Sequence, residues 1–296
     1  MQSAVNKKLS LSGWLDALKL MRIPFSVFLM PVFWFALINI KVDVSKAMLC
    51  FIAIHLFLYP ASNGYNSYFD RDEQSIGGLK NPPKVTRELW YLILVFDFLS
   101  ILAASFVNPL FALMIFIYLI ISKAYSYDKI RLKKFPVIGA LTVVVFQGFW
   151  IYIAVQAGCS TSGIFYTQNL LTGMVSSLFL LGSYPMTQIY QHDEDRKHGD
   201  RSLSLMLGVN GTFLFTSVVF LLASIFLIVL FLMQQHFSFA LVYLIALLPV
   251  NVYFVKWYLD FRKGKSVITF RRTMTLNAMS SLLLSSAFIV IDFMSR

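Results

Sequence analysis

Charged residues are scarce in this sequence of 296 residues, in which Asp, Glu, Lys and Arg together make up 13%. Since a soluble globular domain carries about 25% charged residues, the composition excludes an ordinary soluble protein. The chain is instead 58% hydrophobic and has a mean hydropathy of +0.72. Apolar runs of roughly 20 residues, each long enough to cross a bilayer, recur along it, whereas a transmembrane barrel would show shorter alternating segments. The composition therefore predicts a polytopic helical membrane protein.

Cysteines, linkers and low-complexity tracts are also lacking. The two cysteines are Cys50, within a predicted span, and Cys159, in a predicted polar connection. This number excludes a disulfide framework, and we interpret both as unpaired. The sequence has no polar linker and no pattern of a cleaved N-terminal signal peptide. We therefore expect residues 1–296 to form a single membrane-embedded domain.

The apolar runs predict an all-α bundle of about nine transmembrane helices around a central cavity. Pro60 and Pro185 each fall in a predicted span shortly before a group of acidic residues. Prolines bend membrane helices where a cavity or a neighbouring helix compensates for the lost hydrogen bond. The predicted spans are residues 24–41, 47–69, 88–107, 109–123, 136–157, 169–190, 207–234, 238–259 and 272–294.

Basic residues outnumber acidic ones, and the net charge is +11. Their placement indicates membrane orientation rather than nucleic-acid binding. If the N-terminus is cytoplasmic, every Lys and Arg except Lys41, Lys46 and Arg296 falls in a cytoplasmic connection or at the adjoining helix end. The positive-inside rule therefore predicts a cytoplasmic N-terminus and a C-terminus across the membrane, with the bacterial cytoplasmic membrane as the location. We expect no nucleic-acid partner.

Acidic residues are rarer still, and half of the 14 lie in two short stretches. We call residues 66–73 the first acidic cluster and residues 191–201 the second. Each cluster follows a predicted span on the cytoplasmic side. Because these spans are four helices apart, a bundle of two similar four-helix halves would place the clusters face to face. Their acids are Asp70, Asp72 and Glu73 in the first cluster and Asp193, Glu194, Asp195 and Asp200 in the second.

Helical spacing lets each cluster direct several oxygen atoms to one point. Asn66 and Asp70, and likewise Gln191 and Asp195, are at i and i+4, while Glu73 is three residues after Asp70. Mg²⁺ prefers hard oxygen ligands and commonly uses one or two carboxylates together with substrate phosphates. These five residues are therefore candidate ligands for roughly two or three Mg²⁺ ions around one diphosphate. Additional candidates are Asp72, Asp193, Glu194 and Asp200.

Basic residues accompany the acids. Guanidinium and ammonium groups at a metal–phosphate site stabilise a departing diphosphate. The candidates are Arg22 at the start of the first span, Lys129, Arg131 and Lys133 after the fourth, and Arg196, Lys197 and Arg201 in the second cluster.

Other interpretations of these residues stay open. Lys133, like Lys134, fits an ordinary positive-inside anchor. The acidic clusters fit solvated loop faces, and His192 and His198 fit loop histidines better than transition-metal ligands. Asp97 lies in the middle of the third span, where a carboxylate costs roughly 2.5–3.5 kcal/mol and should face a cavity or a partner. A transporter of an anionic substrate would depend on Asp97.

The motifs resemble those of the UbiA superfamily of intramembrane prenyltransferases, and the resemblance covers nearly the whole chain. That family has nine transmembrane helices, aspartate-rich motifs on the cytoplasmic side after helices two and six, and a lysine-bearing loop after helix four. Two positions depart from it, because Gln74 and Gln191 stand where the motifs usually have Asp. The matching segments are Arg22-Ile-Pro-Phe in helix one, Asn66-Ser-Tyr-Phe-Asp70-Arg in the first motif, Tyr125-Ser with Leu132-Lys133 in the loop, and Asp195-Arg-Lys-His-Gly-Asp-Arg-Ser-Leu in the second motif.

The resemblance implies an enzyme that binds an isoprenyl diphosphate through Mg²⁺ and basic residues. Ionisation would give an allylic carbocation, and the isoprenyl group would pass to a hydrophobic or aromatic acceptor within the lipid bilayer. Asp70, Asp195, Lys133 and Arg22 would be catalytic, while Tyr125 and the other basic candidates would contact the diphosphate. The family also implies a second outcome, a membrane terpene cyclase in which the cation closes on itself.

Overall fold

The structure is a computed structural model that describes residues 9–38, 40–161, 167–265 and 267–295. Three basic residues of the charge pattern, Lys7, Lys8 and Arg296, lie outside the described residues. So do Asn39 of the first predicted span and the side chain of His198.

Helices dominate the described part of the chain, which contains no strand. Two stretches with a wider π-helical turn, Ile52–Leu58 and Val145–Trp150, continue directly into the helices that follow them. The α-helices are α1 (Leu11–Leu20), α2 (Met30–Leu37), α3 (Val44–Phe51), α4 (Tyr59–Asp70), α5 (Arg87–Ser105), α6 (Pro109–Ser126), α7 (Pro136–Val144), α8 (Ile151–Cys159), α9 (Thr167–Gln188), α10 (His192–His198), α11 (Leu203–Met233), α12 (Phe237–Arg262) and α13 (Phe270–Ser295).

Within the described residues, nine helical stretches are long and apolar enough to cross a membrane, which confirms the predicted architecture. Three of them are composite and join α1 to α2, α3 to α4 and α7 to α8. The first stretch begins at Leu11 rather than at residue 24. The reason is local, because the side chain of Ser10 caps α1 and a 3₁₀ segment, Ile23–Leu29, carries the chain into α2.

Large apolar side chains cover the outside of the bundle. Phe98, Leu221 and Leu248, on three different helices, are 64%, 61% and 65% exposed. A surface of this kind is a liability in water but a contact surface for lipid chains in a bilayer. The chain is therefore an integral membrane protein.

The two cysteines are free, as predicted, but Cys159 does not lie in a polar connection. α8 extends to this residue, and its side chain is fully buried. Its neighbours in the core include Cys50, whose side chain is also fully buried. The prediction for Cys159 was wrong because the apolar helix continues two residues beyond the predicted span.

The helix ends bring the functional segments together. α4, α6 and α9 all end at one end of the bundle, which we call the acidic end. There Arg22, Arg71 and Arg131 adopt left-handed backbone conformations with φ of 50°, 52° and 43°. Such conformations are strained for residues other than glycine and persist where surrounding contacts hold them. Arg71 ends α4, whereas Arg22 and Arg131 precede 3₁₀ segments, so each arginine marks a sharp change of chain direction.

Candidate active site

The two acidic clusters face each other across one cavity of about 340 Å³. The cavity runs from the acidic end into the interior of the bundle. The arrangement expected from the positions of the two spans is therefore present. From the clusters, the residues that line the cavity are Asn66, Asp70, Asp72, Gln191, Glu194, Asp195 and Asp200.

The first cluster begins on the last turn of α4. The Asn66 side-chain amide donates to Asp70 Oδ2 over 2.7 Å and to Ser126 Oγ over 3.1 Å. Asn66 Oδ1 in turn accepts a hydrogen bond of 3.4 Å from the guanidinium of Arg22. Arg22 is also held by the carbonyl of Asn63 at 3.1 Å. The i, i+4 spacing thus places Asn66 and Asp70 together. The hydrogen bonds from its guanidinium group hold Arg22 beside them.

Glu73 does not share this helical face, because α4 ends at Asp70 and Arg71 turns the chain. The i, i+3 argument for Glu73 was therefore wrong. Glu73 is exposed and does not line the cavity, whereas Asp72 does. The loop is held from the second cluster, since Glu194 Oε1 accepts hydrogen bonds of 3.1 and 3.2 Å from the backbone N–H groups of Glu73 and Gln74. Glu194 is 6% exposed.

The second cluster forms the short helix α10. Gln191 precedes this helix, and its carbonyl accepts a hydrogen bond of 2.9 Å from the backbone N–H of Asp195, so both residues face the cavity. The Gln191 side chain donates to the carbonyl of Ser75 over 3.3 Å, a second link between the clusters. Ser202 donates a 2.5 Å hydrogen bond to Asp195 Oδ2. Burial raises the pKa of Asp195, while this hydrogen bond acts in the opposite direction.

The connection after α6 brings two basic side chains into the gap between the clusters. Arg131 donates two hydrogen bonds, of 3.0 and 2.9 Å, to the carboxylate of Asp200 and lies 3.3 Å from Asp70. Lys133 forms ion pairs with Asp70 and, at 3.5 Å, with Asp200. The anchor interpretation of Lys133 was wrong, because its side chain is only 13% exposed and points into the acidic cavity. Lys134 is exposed, as an anchor should be.

The electrostatics of the cavity are those of an acidic site that cations only partly neutralise. Burial raises the pKa of Asp72 to about 6, and the nearby charge of Asp70 adds to the shift. Burial also opposes ionisation of Asp200, but hydrogen bonds from Arg131 and the charge of Lys133 hold its pKa below the usual range. A carboxylate with a raised pKa is one whose negative charge lacks sufficient compensation, which a bound cation would supply.

Several predicted residues lie outside the cavity. Asp193 and Arg196 form an exposed ion pair of 2.9 Å, one turn apart on the outer face of α10. Lys129, Lys197 and Arg201 are exposed to solvent. The helical period of α10 explains part of this division, because a helix that presents Glu194 and Asp195 to the cavity turns the positions on either side of them outward. His192 is buried and its ring lies 2.8 Å from Ser204 Oγ, so it is a packed histidine rather than the predicted loop histidine.

Sequence reasoning missed polar residues on the deeper walls of the cavity. The hydroxyl of Tyr125 lies 2.7 Å from that of Tyr184, and Tyr184, Thr187 and Gln188 line the cavity along α9. The signal was present in the sequence, since Ser183 and Thr187, which both line the cavity, continue the i, i+4 series that leads to Gln191 and Asp195. Tyr59 and Asn63 extend the face of Asn66 and Asp70 in the same way.

Asp97 is satisfied away from the cavity. Its carboxylate pairs with the ammonium group of Lys123 on the neighbouring helix α6 at 2.9 Å. Neither residue lines the cavity. Lys123 is therefore the partner that the Asp97 carboxylate requires within a membrane span. Because Asp97 is paired and lies outside the cavity, it gives no support to a transport path.

A second cavity of about 320 Å³ lies at the opposite end of the bundle. Phe35 is 2% exposed and lines both cavities. Its ring stacks on Phe288 with centroids 4.6 Å apart and lies 5.5 Å from the ring of Tyr152. A layer of aromatic rings thus separates the two cavities.

The sequence matches the model of the UbiA prenyltransferase family over residues 28–279. The chain belongs to this family. Solved UbiA structures share its fold. A homologue from Archaeoglobus fulgidus bound to DMAPP and Mg²⁺ superposes with a TM-score of 0.69 at 17% identity, covering 94% of this chain and 99% of its own. The same homologue bound to GPP and Mg²⁺ gives a TM-score of 0.67 at 18% identity, with the same coverage.

An apo UbiA homologue from Aeropyrum pernix K1 has a TM-score of 0.66 at 18% identity, covering 90% of this chain and 98% of its own. A comparison with curated proteins finds no match. At identities this low, the solved structures show the common fold. Within this UbiA chain, Gln74 is exposed and lies outside the cavity, while Asp72, two residues earlier, lines it.

Proposed function

We propose that this UbiA protein is a Mg²⁺-dependent prenyltransferase that moves an isoprenyl group from an isoprenyl diphosphate to a hydrophobic or aromatic acceptor inside the membrane. One observation carries the proposal: a single cavity combines facing acidic clusters, inward-pointing Arg22 and Lys133, and a deep aromatic chamber. An isoprenyl diphosphate likewise has a charged end, which suits the acidic and basic residues, and an apolar tail, which suits the aromatic chamber. The Mg²⁺ and prenyl diphosphates bound by the Archaeoglobus fulgidus homologue agree with it.

The donor set at the acidic end suits Mg²⁺, which takes oxygen ligands. Among the described residues, no three Asp, Glu, His or Cys side chains are already grouped to hold a metal ion. The diphosphate would therefore complete the coordination, as phosphate oxygens commonly do for Mg²⁺. Asn66, Asp70, Gln191 and Asp195 would hold the metal, with Asp72 beside them. Bound Mg²⁺ would stabilise the negative charge of the leaving diphosphate.

The basic residues of the chain act on the same group. Lys133 and Arg131 sit between Asp70 and Asp200, so their positive charges are already placed where phosphate oxygens would approach. Arg22 has a buried Nε without a hydrogen-bond partner among the described residues. These groups would stabilise the diphosphate as the C1–O bond breaks and the oxygen keeps the electron pair. The acceptor then bonds to C1 and loses a proton, which the released diphosphate can take up.

The deep chamber would protect the cation that forms. Phe146, Phe179 and Phe288 line it, and aromatic faces attract cations. An apolar wall also excludes water, which would otherwise capture the cation and give an alcohol.

The test is an incubation of the purified protein with labelled DMAPP or GPP, Mg²⁺ and a lipid extract supplemented with aromatic acceptors. We expect released diphosphate together with label in a product that requires the acceptor. Asp70→Ala should lower turnover by orders of magnitude, whereas Asp193→Ala, an acid in the second cluster but outside the cavity, should not. A terpene cyclase would release diphosphate without an acceptor. A transporter would move the intact substrate across the membrane without releasing diphosphate.

The orientation of the protein is part of the proposal. With a cytoplasmic N-terminus, the acidic end faces the cytoplasm of a bacterium, where soluble prenyl diphosphates and Mg²⁺ would reach the cavity. The distribution of basic residues supports this orientation, because the acidic end also carries nearly all of the Lys and Arg residues.

A further inference from the structure

The cavity contains buried polar side chains that have no hydrogen-bond partner among the described residues. Tyr59 is 2% exposed and Asn277 is 8% exposed, and both line the cavity. The hydroxyl of Tyr59 and the side-chain amide nitrogen of Asn277 are buried, and neither has a hydrogen bond with any described residue. Buried donors in native proteins are nearly always satisfied, so two unsatisfied donors in one chamber require an explanation.

The two donors lie at different depths in the cavity. Tyr59 lies seven residues before Asn66 in α4, which at 1.5 Å per residue is about 10 Å deeper along the helix axis. Asn277 lies one turn from Ser281, whose hydroxyl donates to the carbonyl of Val27 in the 3₁₀ segment after Arg22. Both helices pack against that segment. Tyr59 therefore belongs to the membrane-embedded half of the chamber. Asn277 lies closer to the acidic end, about 5 Å along α13 from Met274, whose sulfur accepts a hydrogen bond of 3.4 Å from the backbone N–H of Gly78.

The isoprenyl tail cannot satisfy these donors. A hydrocarbon has no acceptor atom, and a tail packed against Tyr59 and Asn277 would leave both polar groups buried and unpaired, which costs free energy. A molecule with oxygen atoms within reach of both donors would satisfy them. In a prenyl transfer reaction, that molecule is the acceptor.

The charges of the chamber restrict which acceptor fits. Of the described residues that line the cavity, the cationic ones are Arg22 and Lys133. Arg22 bonds to Asn66, and Lys133 pairs with Asp70, so both serve the diphosphate end. An acceptor carboxylate beside Tyr59 would be a buried charge without a counter-ion, which is far more costly than an unpaired neutral group.

We propose that Tyr59 and Asn277 bind the acceptor, and that the acceptor is an uncharged aromatic or lipid molecule with a hydroxyl or carbonyl oxygen. The proposal rests on the prenyltransferase function and specifies its second substrate. It also separates transfer from cyclisation, because a cyclase would need no oxygen-binding donors in the chamber.

The test compares acceptors with and without a negative charge, 4-hydroxybenzoate against its methyl ester and a naphthoquinol carboxylate against the parent naphthoquinol. With GPP and Mg²⁺ held constant, we expect kcat/KM to be at least about tenfold higher for the neutral member of each pair. Equilibrium binding of the labelled acceptors to the detergent-solubilised protein provides a second readout that does not need turnover. Equal or better use of the carboxylates would overturn the proposal.

Variants test the two residues. Tyr59→Phe and Asn277→Leu should each raise the acceptor KM by about tenfold while the KM for GPP stays the same. Tyr59→Phe removes a hydroxyl that has no partner, so the melting temperature should not fall. The matched control is Tyr243→Phe, a buried tyrosine outside the cavity whose hydroxyl bonds to Ser224 at 2.7 Å. It should leave both KM values unchanged.

Two failures are distinguishable. If the wild-type protein neither binds nor ionises prenyl diphosphates, the proposed function itself is wrong. If diphosphate release and product formation occur but the Tyr59 and Asn277 variants keep the wild-type acceptor KM, the function stands and the acceptor site is elsewhere.

Discussion

Glu194 offers the sharpest test of how the two acidic clusters are coupled. Its carboxylate is buried and accepts hydrogen bonds from the backbone N–H groups of Glu73 and Gln74. These two residues belong to the loop that carries Asp72. Replacing Glu194 with alanine removes both hydrogen bonds. The loop, which the Gln191–Ser75 hydrogen bond still holds, should then open more often without any change in the membrane-spanning helices.

The free energy lost in Glu194→Ala depends on how exposed Glu73 and Gln74 are. A hydrogen bond to a charged group contributes about 1.5–3 kcal/mol. Because Glu73 and Gln74 are exposed, water can replace part of this energy once the loop moves, and we expect a net loss of about 2 kcal/mol for the pair. That loss is about a 30-fold shift toward the open loop. Glu194→Gln retains one carbonyl oxygen as acceptor and should lose less.

Limited proteolysis measures the open fraction directly. Trypsin cuts after Arg71 and Lys80, which flank the loop, so the cleavage rate in Glu194→Ala should rise by about 30-fold over wild type. The measurement is made without Mg²⁺ or substrate, which separates the loop from any metal-binding role of Glu194. Asp193→Ala is the control because Asp193 is exposed and outside the cavity. A rate within about twofold of wild type in Glu194→Ala, or an equal increase in Asp193→Ala, would refute the reasoning.

Three further predictions concern charge. Lys133→Met should abolish most activity, whereas Lys134→Met should retain it, because only the Lys133 ammonium group reaches the acidic cavity; similar activity in the two variants would contradict the assignment. Cysteine introduced at Lys80 should resist an impermeant reagent applied to intact cells, while cysteine at Lys41 should react, and the reverse pattern would invert the proposed orientation. Gln191→Asp should change the half-saturating Mg²⁺ concentration by less than about tenfold, since other acids already line the cavity, and a larger decrease would show that the glutamine weakens the site.

The sequence was sufficient to predict the bundle and the meeting of the clusters, because both follow from hydropathy, span order and the scarcity of acids. It was not sufficient for the chain around the helix ends. Nothing in the residue types predicts that Arg71 and Arg131 adopt a backbone conformation that glycine usually occupies. Those two turns decide that Asp72 rather than Glu73 enters the cavity and that Lys133 points inward. The periodicity of the sequence cannot predict turn conformations that tertiary contacts hold. It did predict that Asn66 and Asp70 lie together, because both are on a regular helix.

The aromatic layer at Phe35 has a consequence for the membrane as an electrical barrier. Two cavities enter the bundle from opposite ends, and Phe35, stacked on Phe288, is the wall that they share. A membrane that stores an ion gradient tolerates such a pair of cavities only while a dry layer lies between them. A smaller side chain at position 35 would thin the layer that keeps water and protons from crossing between them. The size of Phe35 therefore bears on the insulation of the membrane, and enlarging the cavity in this direction would risk leakage.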